Sequence, residues 1–146
     1  MSAPSILAEI LAARRRRLAA GELAPRGAAA SPSDGARFLA ALRAGGPRVI
    51  AEVEHRSPSA AAPAPRWPPA AVDDLLPAIR SVAKAYRRAR AAAISVVTEP
   101  DYFGGDLAWV PEVKRVSRLP VLMKDFVVDE AQLDLALSLG ADAVLL

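Results

Sequence analysis

Chemically capable side chains follow three short apolar segments of this sequence. The first segment leads into EVEHRS, the second into SVVTE and the third into KDF. The residues of interest are, in chain order, Glu52, Glu54, Ser57, Ser95, Thr98, Glu99, Lys124, Asp125 and Phe126. Because the carboxyl ends of parallel strands form the reactive edge of α/β folds, we expect these side chains to meet at one edge of a sheet.

Lys124 is the residue best suited to acid–base chemistry. It follows Val-Leu-Met, and an unpaired ammonium group buried in such a segment is costly. Glu52, on the neighbouring strand, is a candidate partner, and a lysine held between burial and carboxylates can be tuned to donate and accept protons. The alternative is a lysine at a strand end that reaches solvent and pairs with Asp125.

Two loop motifs offer groups that could bind a ligand. In YFGGD, residues 102–106, Phe103 could form an apolar wall for a planar ligand, and the glycines could let the backbone turn. The alternative for this motif is an ordinary aromatic loop anchor. In SPS, residues 57–59, two hydroxyl groups could bind a phosphate, and the alternative is a Ser-Pro turn.

The apolar periodicity predicts the elements that position these groups. Helices are predicted over 5–20, 33–44, 72–90, 106–117 and 129–139, with Pro77 able to begin the third helix afresh and Asp129 capping the last. Strands are predicted over 49–53, 92–98, 120–128 and 143–146. Strands that are apolar on both faces and alternate with helices indicate a parallel sheet. The sheet is either an open α/β sheet or the first four strands of a (β/α)8 barrel, with an Ala/Pro-rich insert at 60–71.

The composition excludes several classes of site. The chain has 146 residues, no cysteine and a single histidine, so thiolate sites and multi-histidine metal sites are excluded. The net charge of +3 suggests nucleic acid as a partner, but the densest basic run, residues 14–17, has a helical pattern and is expected to form a solvated helix face. No apolar run approaches the ~20 residues of a membrane span. We therefore expect a soluble, cytoplasmic protein that binds neither nucleic acid nor membrane.

Four segments together resemble the indole-3-glycerol-phosphate synthase family of tryptophan biosynthesis. They are ILAEILAARRRRLAA, IAEVEHRSPSA, AISVVTEPDYFGGDLAWV and LPVLMKDFVVDEAQLDLALSLGADAVLL. The resemblance covers most of residues 5–146, apart from the insert at 60–71. It implies a (β/α)8 TIM barrel, with an N-terminal helical extension at 1–46 and the first half of the barrel at 47–146.

The resemblance also implies an activity and a set of site residues. The reaction is ring closure of 1-(2-carboxyphenylamino)-1-deoxyribulose 5-phosphate with loss of CO2 and water, by a lyase that needs no cofactor and no metal. Lys124 would be the general acid, and Glu52 would be a catalytic carboxylate near the reacting amine and carbonyl. Ser57 and Phe103 would line the substrate site, and Phe126 would form part of its apolar wall.

The sequence departs from the family pattern at Glu54. The family usually has a lysine at this position, and that lysine contacts the anionic substrate, so Glu54 reverses a charge beside the substrate. The first active-site loop is also altered, because Ala61 stands where the family has a glycine and the insert follows directly. A diverged, non-catalytic relative therefore stays open as an alternative, as does another sugar-phosphate barrel such as phosphoribosylanthranilate isomerase.

The second departure is length. The family's later glutamate, its asparagine and its phosphate-binding loops follow the fourth strand, so the 146 residues alone are expected to be inactive. A C-terminal half or a second chain would have to complete the barrel. The arginine-rich first helix could pack over the mouth of that barrel and attract an anionic substrate.

Overall fold

The computed structural model describes residues 5–25, 27, 31–57 and 75–146, which form five helices and four short strands. The helices are α1 (Ile6–Ala19), α2 (Gly35–Arg43), α3 (Leu76–Arg88), α4 (Trp109–Ser117) and α5 (Ala131–Leu139). The strands are β1 (Ile50–Val53), β2 (Ala93–Val97), β3 (Val121–Lys124) and β4 (Ala143–Val144). The predicted insert at 60–71 lies outside the described residues.

The strands form one parallel sheet in the order β1-β2-β3-β4. Each strand pairs with the next strand in the sequence, and α4 and α5 connect β2 to β3 and β3 to β4. A doubly wound sheet reverses its strand order, whereas a (β/α) barrel adds each strand beside the previous one. The predicted fold class is confirmed as a parallel α/β arrangement that corresponds to the first four strands of such a barrel.

The two faces of the sheet have different chemistry. Alternate residues of β2 and β3, among them Ile94, Val96 and Met123, belong to the apolar core that the sheet forms with α3, α4 and α5. Side chains alternate between the faces of a strand, so the residues between them point away from this core. These intervening positions include Ser95 and Lys124, and they place the polar groups on the opposite face.

The third strand is shorter than the sequence predicts. β3 ends at Lys124, although the apolar pattern continues to Val128. Beyond Lys124 the backbone N–H groups bind side chains instead of a neighbouring strand. Asp125 Oδ1 accepts a hydrogen bond from the N–H of Phe126 at 2.7 Å, and Gln132 Oε1 accepts one from the N–H of Val128 at 2.7 Å. These side-chain acceptors end the ladder, and an apolar pattern alone does not reveal them.

Capping residues set the helix ends close to their predicted positions. The Ser5 hydroxyl accepts a hydrogen bond from the N–H of Ala8 at the start of α1, and α3 has a proline in its first turn. Gly140, with φ of 81°, ends α5 as predicted. Asp129 accepts a hydrogen bond from the N–H of Ala131 at 2.9 Å, although Glu130 is the residue at the N-cap.

None of the helices in the described ranges is long and apolar enough to cross a membrane.

A buried lysine ties the segment before α2 to the amino edge of the sheet. Lys114 Nζ donates hydrogen bonds to the carbonyl oxygens of Pro32 and Gly140 at 2.6 and 2.7 Å and to Asp142 Oδ1 at 2.7 Å. The same Asp142 oxygen accepts a hydrogen bond from the N–H of Asp34 at 2.6 Å. Because the buried charges are paired and hydrogen-bonded, they fix the position of α2 at the edge opposite the predicted site.

Candidate active site

Lys124 and Glu52 form an ion pair at the carboxyl edge of the sheet. Lys124 Nζ lies 3.0 Å from both carboxylate oxygens of Glu52, and each side chain is 36% exposed. The prediction that the two residues lie on neighbouring strands is wrong, because β2 lies between β1 and β3. The alternative pairing of Lys124 with Asp125 is also wrong. The two side chains meet above β2, where a ligand can reach both of them.

Hydrogen bonds from two other elements hold Glu52. The Ser95 hydroxyl of β2 donates to Glu52 Oε2 at 2.9 Å, and the Tyr86 hydroxyl of α3 donates to the Glu52 carbonyl oxygen at 2.8 Å. Burial acts to raise the pKa of Glu52, but the hydrogen bonds from Lys124 and Ser95 outweigh it, and the pKa lies below its ordinary value. Glu52 is therefore a charged partner for the ammonium group at neutral pH.

Glu54 and Ser57 lie beside this ion pair. Glu54 follows Glu52 by two residues and shares its face, and the two carboxyl groups are within hydrogen-bonding reach of each other. Burial, and then the negative charge of Glu52, raise the pKa of Glu54 above its ordinary value. The Ser57 hydroxyl hydrogen-bonds to Glu54. The remaining residues of the SPS motif, 58 and 59, lie outside the described residues.

A mostly apolar cavity of about 330 Å3 opens next to Lys124. The rings of Phe103 and Phe126 line it, with centroids 6.0 Å apart and planes tilted by 41°. Leu11 of α1 also lines it, so the first helix lies against the mouth of the site. The two phenylalanines singled out in the sequence are thus brought together, and their rings are in contact with each other in the wall of the cavity.

Arg14 is buried, against the prediction that residues 14–17 form a solvated face. Its side chain is 1% exposed, and its Nη2 donates to Asp125 Oδ2 at 2.7 Å. The Thr98 hydroxyl donates to the same oxygen at 2.6 Å. Burial raises the pKa of Asp125, and Arg14 and Thr98 oppose that shift. The prediction fails because the partner of Arg14 lies on a different element far away in the sequence, while Arg15 and Arg16 are exposed as expected.

Among the described residues, no group of three or more histidine, aspartate or glutamate side chains is arranged to hold a metal ion.

Gly105, in the YFGGD motif, lies directly against the end of β2. A Cβ atom at this position would lie 2.4 Å from the Val97 carbonyl oxygen and 2.7 Å from the Thr98 carbonyl carbon. Both contacts are with backbone, so the glycine is required for close approach.

We expect Gly105→Ala to destabilise the protein by about 1–3 kcal/mol or more, because neither backbone contact can move aside. Gly45→Ala is the matched control, since nothing lies within 4 Å of a Cβ at Gly45. The urea midpoint of the full-length protein measures both changes. Equal midpoints for the two variants would contradict the close approach.

A comparison with protein families distinguishes among barrels that share this strand order. The family model described as "Indole-3-glycerol phosphate synthase" matches residues 7–146. The chain belongs to the indole-3-glycerol phosphate synthase family. Membership in another sugar-phosphate barrel family, such as that of phosphoribosylanthranilate isomerase, is accordingly not favoured.

Curated relatives carry the same name. The chain is 44% identical over 113 residues to "Indole-3-glycerol phosphate synthase" of Geobacillus thermodenitrificans, covering 75% of this chain and 39% of the relative. It is 44% identical over 140 residues to "Indole-3-glycerol phosphate synthase 2" of Streptomyces coelicolor, covering 95% and 50%. It is 36% identical over 150 residues to the Neisseria meningitidis relative, covering 97% and 54%. The chain therefore spans 39–54% of the length of these indole-3-glycerol phosphate synthases.

The sequence analysis missed some of the contacts that build the site. It placed Ser95 at the carboxyl edge but did not assign it to Glu52, although a hydroxyl among buried residues needs a partner. No sequence pattern indicated the Tyr86 contact, because Tyr86 lies in the last turn of α3 and binds a backbone atom of another element. Membership of the indole-3-glycerol phosphate synthase family does not by itself show that Ser95 and Tyr86 bind Glu52.

Proposed function

We propose that the full-length protein containing this chain is an indole-3-glycerol-phosphate synthase, a carboxy-lyase of tryptophan biosynthesis. Its substrate would be 1-(2-carboxyphenylamino)-1-deoxyribulose 5-phosphate. The observation that carries the proposal is the ion pair of Lys124 and Glu52, which is open to a ligand and adjoins the Phe103–Phe126 cavity. Family membership supports the same reaction class.

In this proposal Lys124 donates a proton to the ketone oxygen of the substrate. The ring carbon that bears the carboxylate bonds to the ketone carbon, and the carboxylate leaves as CO2, returning its electron pair to the ring. Lys124, after it has regained a proton from solvent, protonates the new hydroxyl group, which leaves as water as the nitrogen lone pair expels it, and Glu52 is placed to accept the proton released from the neighbouring carbon. Lys124 is suited to the first step because it is held 3.0 Å from Glu52 and is still a third exposed.

The remaining site residues have binding roles in this proposal. Phe103 and Phe126 would contact the aromatic ring of the substrate, and Ser57 would offer its hydroxyl group to a polar group of the substrate. No step requires a cofactor or a metal.

We further propose a cytoplasmic location, a helical extension at 1–46 and a barrel portion from residue 47. The 146 residues alone are expected to be inactive, because four strands do not enclose a substrate.

The direct test is to incubate the purified full-length protein with the substrate and to follow the appearance of the indole chromophore together with CO2. We expect stoichiometric release of CO2 and formation of indole-3-glycerol phosphate. A folded, full-length protein that releases neither would refute the proposed reaction.

Glu54 is expected to weaken binding of this anionic substrate. At about 4 Å and an effective dielectric near 20, one unit charge pair is worth about 4 kcal/mol before screening. Glu54→Lys in the full-length protein should therefore lower KM by about tenfold or more, which corresponds to about 1.4 kcal/mol after screening. Glu54→Gln, which removes the charge without reversing it, should give an intermediate KM.

The pH dependence gives an independent check on Glu54. Because its pKa is raised, Glu54 stays protonated to higher pH than an ordinary glutamate, and repulsion of the substrate begins as the pH rises through that raised value. The KM ratio of parent to Glu54→Gln should grow with pH over this interval. A higher KM for Glu54→Lys than for the parent would show that the glutamate assists binding.

A further inference from the structure

Glu99 is a buried acidic residue that the proposed reaction does not use. It follows β2, and it is 0% exposed. Its Oε1 accepts a hydrogen bond from the N–H of Asp101 at 2.9 Å, and its Oε2 accepts from the N–H groups of Tyr102 and Phe103 at 2.7 and 2.9 Å. A buried carboxyl group is costly unless it is hydrogen-bonded, and here three consecutive backbone donors converge on it.

The same three-residue segment is held from its other side by a guanidinium group. The Arg56 side chain donates to the carbonyl oxygens of Asp101 and Tyr102 at 2.6 and 3.0 Å. The N–H of Arg56 donates to the Phe103 carbonyl oxygen at 3.2 Å. Arg56 is exposed, whereas Glu99 is fully buried, so Glu99 is the better shielded of the two anchors. Together they satisfy both the donors and the acceptors of residues 101–103.

The held segment determines where the Phe103 ring stands. The backbone N–H of Phe103 donates to Glu99, and its ring packs against Phe126 in the wall of the cavity next to Lys124. A loop that is not held in this way could turn the ring out of the cavity. A role for Glu99 as a second general base is excluded by its contacts, because both oxygens already accept backbone N–H groups and neither is exposed.

We propose that Glu99 is a positioning residue that acts through Phe103. By gathering the N–H groups of residues 101–103, it keeps the Phe103 ring in place as a wall against the aromatic ring of the substrate. The inference concerns substrate binding and rests on the proposed function for the identity of the substrate. It assigns Glu99 no contact with the reacting atoms.

Glu99→Gln in the full-length protein is the test of choice because it keeps the size of the side chain. The amide oxygen can still accept from Tyr102 and Phe103, but the NH2 group then faces the N–H of Asp101 and repels it. We expect hydrogen exchange of the amides of residues 101–103 to speed up by at least tenfold, while the amides of β2 keep their protection. Unchanged exchange at residues 101–103 would overturn the proposal, whether or not the protein is an enzyme.

Kinetics provide the functional test, with Phe103→Leu as the matched partner variant. Glu99→Gln is expected to raise KM by at least tenfold and to leave kcat within about threefold of the parent. If Glu99 acts through Phe103, the double variant should have a KM close to that of Phe103→Leu alone. KM effects that multiply, or a loss in kcat at unchanged KM, would overturn it. A parent protein without turnover would refute the proposed function, and the exchange measurement would then decide the role of Glu99 alone.

Discussion

Lys124→Ala in the full-length protein is expected to reduce turnover by at least about 10²–10⁴-fold and to leave the protein folded. The loss follows from removal of the only ammonium group that contacts Glu52 among the described residues. The fold should survive because both side chains are a third exposed, and Glu52 keeps its hydrogen bond from Ser95. The measurement is single-turnover formation of product, with circular dichroism as the check on folding.

One variant distinguishes proton donation by Lys124 from the effect of its positive charge, and a second variant is the control. Lys124→Arg keeps a positive charge beside Glu52, but a guanidinium group does not release its proton near neutral pH, so turnover should still be lost. Lys84→Ala removes an exposed lysine of α3 and should change nothing. Normal turnover in Lys124→Arg would mean that charge alone is needed, and normal turnover in Lys124→Ala would refute the role of Lys124 as general acid.

Arg14→Met is expected to destabilise the protein by about 3–5 kcal/mol. The substitution leaves the Asp125 carboxyl group buried, with hydrogen bonds from Thr98 and the backbone but without its cation. Arg15→Met is the matched control, since Arg15 is the next residue of the same helix and is exposed, and its effect should stay within about 0.5 kcal/mol. The midpoints of urea unfolding give both values.

The double variant Arg14→Met with Asp125→Leu tests whether the cost arises from the unpaired charge. Removing both partners leaves no uncompensated carboxyl group, so most of the lost stability should return. The buried Nε of Arg14 has no hydrogen-bond partner within the described part of the chain, so an apolar replacement also removes the free-energy cost of this unsatisfied donor. A double variant that is as unstable as Arg14→Met would contradict this account of the pair.

The sequence was sufficient to predict the fold class and to single out two residues that meet at the candidate site, because both depend on local patterns. Apolar segments alternating with helices indicated the parallel sheet, and Glu52 and Lys124 were found because each follows such a segment. The strand adjacency was wrong because side chains as long as these reach across an intervening strand. Short-range spacing therefore found the residues but not the geometry between them.

Two contacts of buried charged residues escaped prediction, one between positions far apart in the chain and one within a single loop. Arg14 belongs to a run whose local pattern favours exposure, and only its distant partner Asp125 explains its burial. Glu99 was expected at the reactive edge, yet its carboxyl group binds the backbone of its own loop. In both cases the free energy of pairing a buried charge decided the outcome, and the partner cannot be read from a helical or strand period.

The anchoring of the two N-terminal helices has a consequence for the order of events during synthesis. Arg14 binds a partner 111 residues later in the chain, and Asp34 binds one 108 residues later. A helix as short as α1 is only marginally stable in water by itself, so it gains its stability when β3 is in place. The helices α1 and α2 leave the ribosome before their partners do, so they reach their final positions only after β3 and the residues before β4 have emerged, and until then the nascent chain carries a loosely held, arginine-rich segment.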